Sequence, residues 1–598
     1  MDASSSERFP CDSRTLGLAA GLVLLAGVLY YQTAARDLVV GDTPEFITVA
    51  ATLGVPHAPG YPLFTMLGHL FSLLPFGSIP FRVNLSSAVF NALTVGMVYL
   101  ISFRLTGERL AAAAGALLLA VSATFWQWSL AAEVFPLNNL LTSLLIFLLL
   151  SWQAQVERVG LLLAAFFVAG LGLTNQQTMV LLAPAFCFVL WTRRAFLLAR
   201  PAILLLGPVV FFIGLLPYAY VPWASARHPI HNWGEVSSLR GLLSLMARRS
   251  YGSGHLVSTV DYLGGSGGQR ILALLVSLGP LLGLMIVLGF IQAWRRHRSY
   301  FWFTLLAFTF TGPFFIYITN LNLKTAPSAL FVLQKFFVLS HVVLAPLSAL
   351  GIILAGQLIS GTKLRAHAAT TLVATLLLLG AGLTVLGNYH RHDLSHNHLA
   401  RDFASDALHS APPNSILFAS GDSVVLPLMY LHDVEKMRSD TILIAASLLP
   451  ADWYLLQLRR RYPDLVIPFD HYDGQVHGLK ALVDANQARP IALIGFALAS
   501  AQDLQADYRF QPCGLLHLVK PLGQAPTLRE TASLNEQLLR DYHLPVPETV
   551  RRDTFEIELL ALYAAPAWNV GRLYENAGRK TEALPWFQRT RAIDPYVP

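Results

Sequence analysis

Charge is what this chain has least of. Only 13% of its 598 residues are Asp, Glu, Lys or Arg, against roughly 25% in an ordinary soluble protein. Acid is scarcest in the first two-thirds: residues 1–387 hold 11 Asp or Glu and 22 Lys or Arg, while residues 388–598 hold 24 and 20. Cysteine is nearly absent, and Cys11, Cys187 and Cys513 lie far apart, so no disulfide framework is implied. There is no Walker loop, no dinucleotide fingerprint and no nucleophile elbow, which leaves nucleotide hydrolysis unsupported. The shortage of charge excludes a wholly soluble enzyme and an intrinsically disordered chain.

What fills the space is apolar. Hydrophobic residues make up 54% of the chain and the mean hydropathy is +0.52. A membrane span needs about 20 mostly apolar residues, and eleven candidate segments are read near 15–31, 83–103, 110–124, 137–152, 160–174, 177–192, 201–221, 271–294, 299–319, 330–356 and 369–387. The first resembles a signal peptide but lacks a small-residue cleavage site and is followed by ten more. Placing the N-terminus in the cytoplasm puts Arg8, Arg14, Arg104, Arg109, Arg158, Arg193, Arg194, Arg200, Arg295, Arg296, Arg298, Lys363 and Arg365 inside, as the positive-inside rule asks. The loops at 32–82, 125–136, 222–270 and 320–329, with Lys324 among them, then face outward together with the tail. The expected division is a transmembrane domain over 1–387, a soluble extracytoplasmic α/β domain over 388–525 and a helical segment over 526–598.

The α/β expectation rests on three short apolar runs, 415–419, 441–445 and 490–495, separated by helix-like sequence, a pattern that predicts a mostly parallel sheet. Near the C-terminus, Gly571, Tyr574, Gly578, Ala583, Phe587 and Pro595 fall at the spacings of one tetratricopeptide-repeat unit. A single unit cannot bury its own apolar face, so a structural cap on the preceding helices is favoured over a peptide-binding array.

The first outer loop carries the chemistry that stands out. It reads Gly41-Asp42-Thr43-Pro44-Glu45-Phe46, then Gly54-Val55-Pro56-His57-Ala58-Pro59-Gly60-Tyr61-Pro62. Two carboxylates within four positions, in a region so poor in acid, point to function by default, and such a carboxylate can act as general base toward a hydroxyl. The same string is also a good helix start, with Asp42 as N-cap and Glu45 at the capping-box position. Both readings stand on the residues alone.

Other outer residues extend the set. Glu133 is a third outer acid, in an aromatic stretch that an interfacial belt would explain without it. Arg248 and Arg249 lie on the wrong side for topology and suit a lipid-linked phosphate or anionic headgroups. Lys335 can snorkel or neutralise a leaving phosphate. His57 suits either a structural or a catalytic role. The histidines at 390, 392, 396 and 398 lack a zinc-type motif, and no metal or cofactor is expected.

Taken with Val83-Asn-Leu-Ser-Ser-Ala88, Ala132-Glu133-Val134, Gly170-Leu-Gly-Leu-Thr-Asn175, Leu216-Pro-Tyr-Ala-Tyr-Val-Pro222, Asn232-Trp-Gly234, Gly421-Asp-Ser423 and Arg438-Ser-Asp440, the first-loop strings resemble a family of multispanning proteins formerly of unknown function that includes protein O-mannosyltransferases. That family is similar to GT-C glycosyltransferases. The resemblance implies a GT-C-like α-helical polytopic fold of about 11 spans and an enzyme that moves a sugar, with mannose expected, from a polyprenyl-phosphate donor. The implied acceptor is a hydroxyl, of protein Ser/Thr or of a glycan, on the extracytoplasmic face. It implies Asp42 or Glu45 as base; beside that, His57, Tyr61, Glu133, Asn175, Arg248, Arg249 and Lys335 are expected as donor- or acceptor-binding residues. One departure is Gln176-Gln177, where family members often carry His. A bacterial cytoplasmic membrane is the expected setting. The competing readings are a transporter or flippase of a lipid-linked intermediate, which would need repeated halves that are not seen, and a non-catalytic scaffold recruiting a partner through its repeat-like end.

Overall fold

The computed structural model describes residues 12–249, 267–319, 323, 328–360, 363–499, 501–524 and 526–597. Arg8, Cys11, Lys324 and most of the expected 250–266 and 320–327 loop stretches lie outside the described residues. The chain packs as two units. The first takes 1–36, 58–227 and 237–396; the second takes 37–57, 228–236 and 397–598.

The first unit is helical. All eleven expected segments form helix, but not all at spanning length. Among the described residues, seven helices are long and apolar enough to cross a membrane: Ser13–Thr33, Ile79–Thr106, Val134–Ala154, Pro201–Ser225, Arg298–Ile318, Ala329–Ile359 and Arg365–His392. One further pair passes the same test only when taken together, Gly267–Ser277 meeting Pro280–Arg296 at 99° across Leu278 and Gly279, the geometry of a broken span or a re-entrant loop. The remaining three, Arg109–Ala120, Val159–Leu173 and Gln177–Thr192, are shorter. Ala329–Ile359 is the axis of the unit, with 94% of its apolar window buried. Its close fit to Pro280–Arg296 depends on glycine: a Cβ on Gly351 would stand 1.9 Å from the Met285 carbonyl oxygen, and one on Gly289 2.0 Å from that of Leu347. Small residues that let backbones touch are how helices associate where lipid removes the hydrophobic drive.

The second unit is α/β. Its five-stranded sheet runs in the order β2-β1-β3-β5-β4, with β1 (Ile416–Ser420), β2 (Ile442–Ala445) and β3 (Ile491–Gly495) parallel. These are the three apolar runs expected from sequence. The antiparallel hairpin β4 (Tyr508–Cys513) and β5 (Leu516–Pro521) joins β3 on the other side. Polar residues such as Arg509, Gln511 and Lys520 interrupt its apolar pattern. The chain leaves β1 for β2 on one side and returns to β3 on the other, so the carboxyl end of β1 is a topological switch point, where ligands favour open α/β sheets.

The unit ends in helix Leu528–Asp541, started by a full capping box of Thr527 and Glu530, and a hairpin of Glu556–Asn576 and Lys580–Ile593. Ala532 of the first helix shares one core with Val570, Tyr574 and Ala583 of the hairpin, and Gly571 seats the Phe587 ring. The repeat-like hairpin thus buries its apolar face against the helix before it.

Candidate functional site

The loop that carries Asp42 and Glu45 folds as part of the second unit. Its start is anchored there by Arg401, whose Nε donates to Asp37 Oδ1 at 2.8 Å while its other nitrogens grip Glu435. Helix Thr43–Thr52 follows, with Pro44 in its first turn. The sequence allows an N-cap at Asp42 and a capping box at Glu45, and the helix uses neither: Asp42 makes no side-chain capping bond, and the Glu45 carboxylate reaches forward to His57.

The Gly54-Val55-Pro56-His57 string has a steric reason. Val55 pairs with Asn232 as a short parallel bridge, Val55 N–H donating to the His231 carbonyl at 2.9 Å and Trp233 N–H to the Val55 carbonyl at 2.9 Å. A Cβ on Gly54 would lie 2.5 Å from the His231 carbonyl oxygen. Only glycine lets the two segments meet.

That meeting brings His231 to Glu45. Oε1 of Glu45 accepts from the His57 backbone N–H at 2.8 Å and lies 2.8 Å from His231 Nε2, while Oε2 faces His57 Nδ1 closely. Glu45 is buried. Burial works against its charged form, but His57 and His231 outweigh it and hold the carboxyl well below the usual carboxylate range. Glu45 is therefore ionised with both oxygens committed. Asp42 beside it is only half-buried.

A third carboxylate joins this pair. Asp422 opens helix Asp422–Met429 directly after β1, at the switch point of the sheet. Burial first, then the like charges of Asp42, Glu45 and Glu558, push its carboxyl up to about 6, with His57 partly offsetting them. Ser423 Oγ donates to Glu558 Oε2 at 2.6 Å, and burial raises Glu558 as well.

The remaining sequence-derived residues belong to the first unit, and there most of them converge. Glu133 sits at the start of helix Val134–Ala154. Asn175 Nδ2 donates to the Val134 carbonyl at 2.9 Å, and Lys335 Nζ lies over the Phe135 ring at 5.7 Å. One turn on, Asn138 is buried with neither amide atom bonded among the described residues, which in an apolar bundle is costly without a ligand or water. Tyr61 holds a left-handed backbone (φ 36°) before helix Pro62–Ser72, and Leu63 N–H reaches the Thr174 carbonyl at 3.4 Å. Gln177, at the departure from the family pattern, donates to the Met246 carbonyl at 2.6 Å, two residues before Arg248; Arg249 beyond it is exposed. Of the four histidines near 390–398, His392 is buried against the Trp126 ring at 4.9 Å, and no group of three or more His, Cys, Asp or Glu among the described residues is arranged for a metal ion.

The sequence alone assigns no site role to His231, Trp233, Asp422 or Asn138, although Trp233 and Asp422 lie in strings that carry the family resemblance. The available signals were a second His in a proline-bounded outer loop and an Asp directly after a strand-ending glycine.

Comparisons with known proteins agree on the class. ArnT from Cupriavidus metallidurans, solved bound to undecaprenyl phosphate, has the same fold, at a TM-score of 0.52 and 13% identity over 86% of this chain and 99% of that one; its apo form gives 0.50 at 12%, over 85% and 98%. The fold is GT-C-like, multi-pass and mostly helical with a small C-terminal sheet. Residues 42–198 match the model of the Protein O-mannosyl-transferase TMEM260 N-terminal domain and residues 400–478 that of TMEM260-associated domain 2. Protein O-mannosyl-transferase TMEM260 of Mus musculus is 32% identical over 77% of this chain and 67% of its own length. Its Dictyostelium discoideum counterpart is 27% identical over 85% and 67%. The chain belongs to the TMEM260 protein O-mannosyl-transferase family.

Proposed function

We propose that this glycosyltransferase moves mannose from a polyprenyl-phosphate carrier to a Ser or Thr hydroxyl of a protein, at the extracytoplasmic face of a bacterial cytoplasmic membrane, with Asp42 as general base. The observation that carries the choice of base is the contrast between the two first-loop acids. Glu45 has both oxygens engaged by His57 and His231 and a carboxyl held low, so it is a weak proton acceptor and serves as a positioning residue. Asp42 is half-buried, so one side of it is open to solvent, where Glu45 is buried. It takes the acceptor proton as the hydroxyl oxygen bonds to the sugar C1 and the C1–phosphate oxygen bond breaks.

Arg248, Arg249 and Lys335 are given the charge of the departing phosphate, and His57, Tyr61, Glu133 and Asn175 the binding of donor or acceptor. The carrier is supported by the undecaprenyl phosphate bound to the similarly folded ArnT, the sugar and acceptor by the names of the relatives, and the face by the placement of Lys and Arg in the short connections. No metal or organic cofactor is assigned a part.

The test is transfer from radiolabelled polyprenyl-phosphate mannose in membranes carrying wild type, Asp42→Asn or Glu45→Gln. Loss of transfer in Asp42→Asn at unchanged protein level is the expected result. Undiminished transfer in that variant overturns the assignment of the base, and failure of wild type with every polyprenyl donor offered overturns the donor class.

A further inference from the structure

The 228–236 segment that brings His231 to Glu45 also walls a cavity of about 210 Å³, closed by β2 and helix Asp452–Arg461. Two indoles pack against each other in its wall: Trp233 and Trp453 have ring centroids 5.4 Å apart at 45°, and both rings are half-buried. His228 and Glu235 bracket the segment in left-handed backbone, at φ 49° and 42°, a conformation that costs energy in residues other than glycine and clusters at ligand sites.

The charges on this wall are matched. Arg460 pairs with Glu235, Arg461 with Asp433 and His231 with Glu45. A cavity whose cations each have a carboxylate offers little to a phosphate or a free acid. It keeps hydrogen-bonding capacity, because a guanidinium has five N–H donors and one carboxylate does not use them all. A peptide strand is also disfavoured, since the Ala445 N–H of β2 is taken by the Tyr454 hydroxyl at 2.8 Å, blunting the strand edge there. What remains is a neutral, hydroxyl-rich ligand with one apolar face. A pyranose ring presents such a face of C–H groups, which seats on the negative face of an indole.

We propose that this cavity binds a single hexopyranose ring against Trp233 and Trp453. The identity of the sugar, mannose, rests on the transferase reading above; the sugar belongs to the donor or to an acceptor that already carries one. The cavity is coupled to the acid pair by two routes. His231 lines it and bonds Glu45, and the Trp233 ring meets the edge of His57, the other partner of Glu45, at 6.3 Å and 75°.

The experiment is saturation-transfer NMR of methyl α-D-mannopyranoside with the full chain in lipid nanodiscs, which avoids sugar detergents, using glycerol as control. Saturation transfer to the mannoside is expected with wild type and with Asp42→Asn, at least fivefold weaker with Trp453→Ala, and restored with Trp453→Phe. No transfer with wild type, or undiminished transfer with Trp453→Ala, overturns the proposal. Kinetics then separate the sources: Trp453→Ala raises KM for the donor if the donor's sugar sits here, and KM for a mannosylated acceptor if the acceptor's does. Both constants unchanged would overturn any part for the cavity in the reaction. Asp42→Asn binds mannoside whether or not it transfers sugar, so failure of this proposal and failure of the transferase reading give different results.

Discussion

Glu45 and His231 stand 186 positions apart in the chain and meet at 2.8 Å, Oε1 to Nε2, in a buried contact that His57 completes from the other side. A carboxylate fixed by two imidazoles orders its surroundings; in the proposed reaction the proton acceptor is Asp42, three residues earlier.

Asp42→Asn and Glu45→Gln should therefore fail in different ways. The asparagine variant is expected to lose about 10²–10⁴-fold in transfer, the range of a general base, with its melting temperature unchanged. The glutamine variant breaks a buried charge cluster, a change that costs about 3–5 kcal/mol. It should melt lower and reach the membrane in smaller amounts. Thermal melting beside transfer rates separates the two.

Asp422 gives stability a pH dependence of known sign. Its folded carboxyl is raised from 3.8 to about 6, so between those values the folded state binds more protons than the unfolded chain, and stability falls as pH rises through the window. Asp422→Asn removes the loss. The variant should match wild type near pH 4 and exceed it at pH 7, read from melting temperature across the range. Identical profiles would show that Asp422 ionises normally.

Gly54→Ala tests the bridge. The added methyl must displace the His231 carbonyl, carrying His231 away from Glu45 while leaving both side chains intact. A misplacement near 1 Å can cost about 10²-fold in rate. Transfer is expected to drop by that order with protein level preserved, and amide exchange at Val55 and Trp233 should quicken.

Deleting residues 578–598 removes the second helix of the terminal hairpin. It re-exposes Val570 and Tyr574, at roughly 1.5–3 kcal/mol for each large apolar side chain. Lower melting and lower yield are expected. An unchanged melting temperature would instead mark the hairpin as a dispensable docking module.

Much of this was legible in the sequence. The eleven apolar segments, the three parallel strands and the terminal hairpin follow from periodicity and composition, which report local burial. Hairpin β4–β5 was not read, because Arg509, Gln511 and Lys520 break the apolar alternation on a half-exposed ladder. At the site, Asp42, Glu45 and His57 were legible because they share one loop. His231 and Asp422 were not, since nothing local says that residue 231 returns to residue 45, or that the end of β1 carries an acid within electrostatic reach of residue 42. The capping signal at Asp-Thr-Pro-Glu misled for a related reason. It reports what a helix start can use, and here two histidines, the buried His231 and the half-buried His57, compete more strongly for the Glu45 carboxylate.

The bridge between Val55 and Asn232 bears on how this protein can be dissected and how it evolves. A fragment beginning at Asn397 would carry the whole sheet yet neither Glu45 nor His231, and two of the strings that the second unit needs are encoded inside the membrane part of the chain. The soluble-looking tail is thus not a module that can be traded between proteins by joining at one linker. Exchanging it would have to bring 37–57 and 228–236 along, because the three separated stretches pack as one unit.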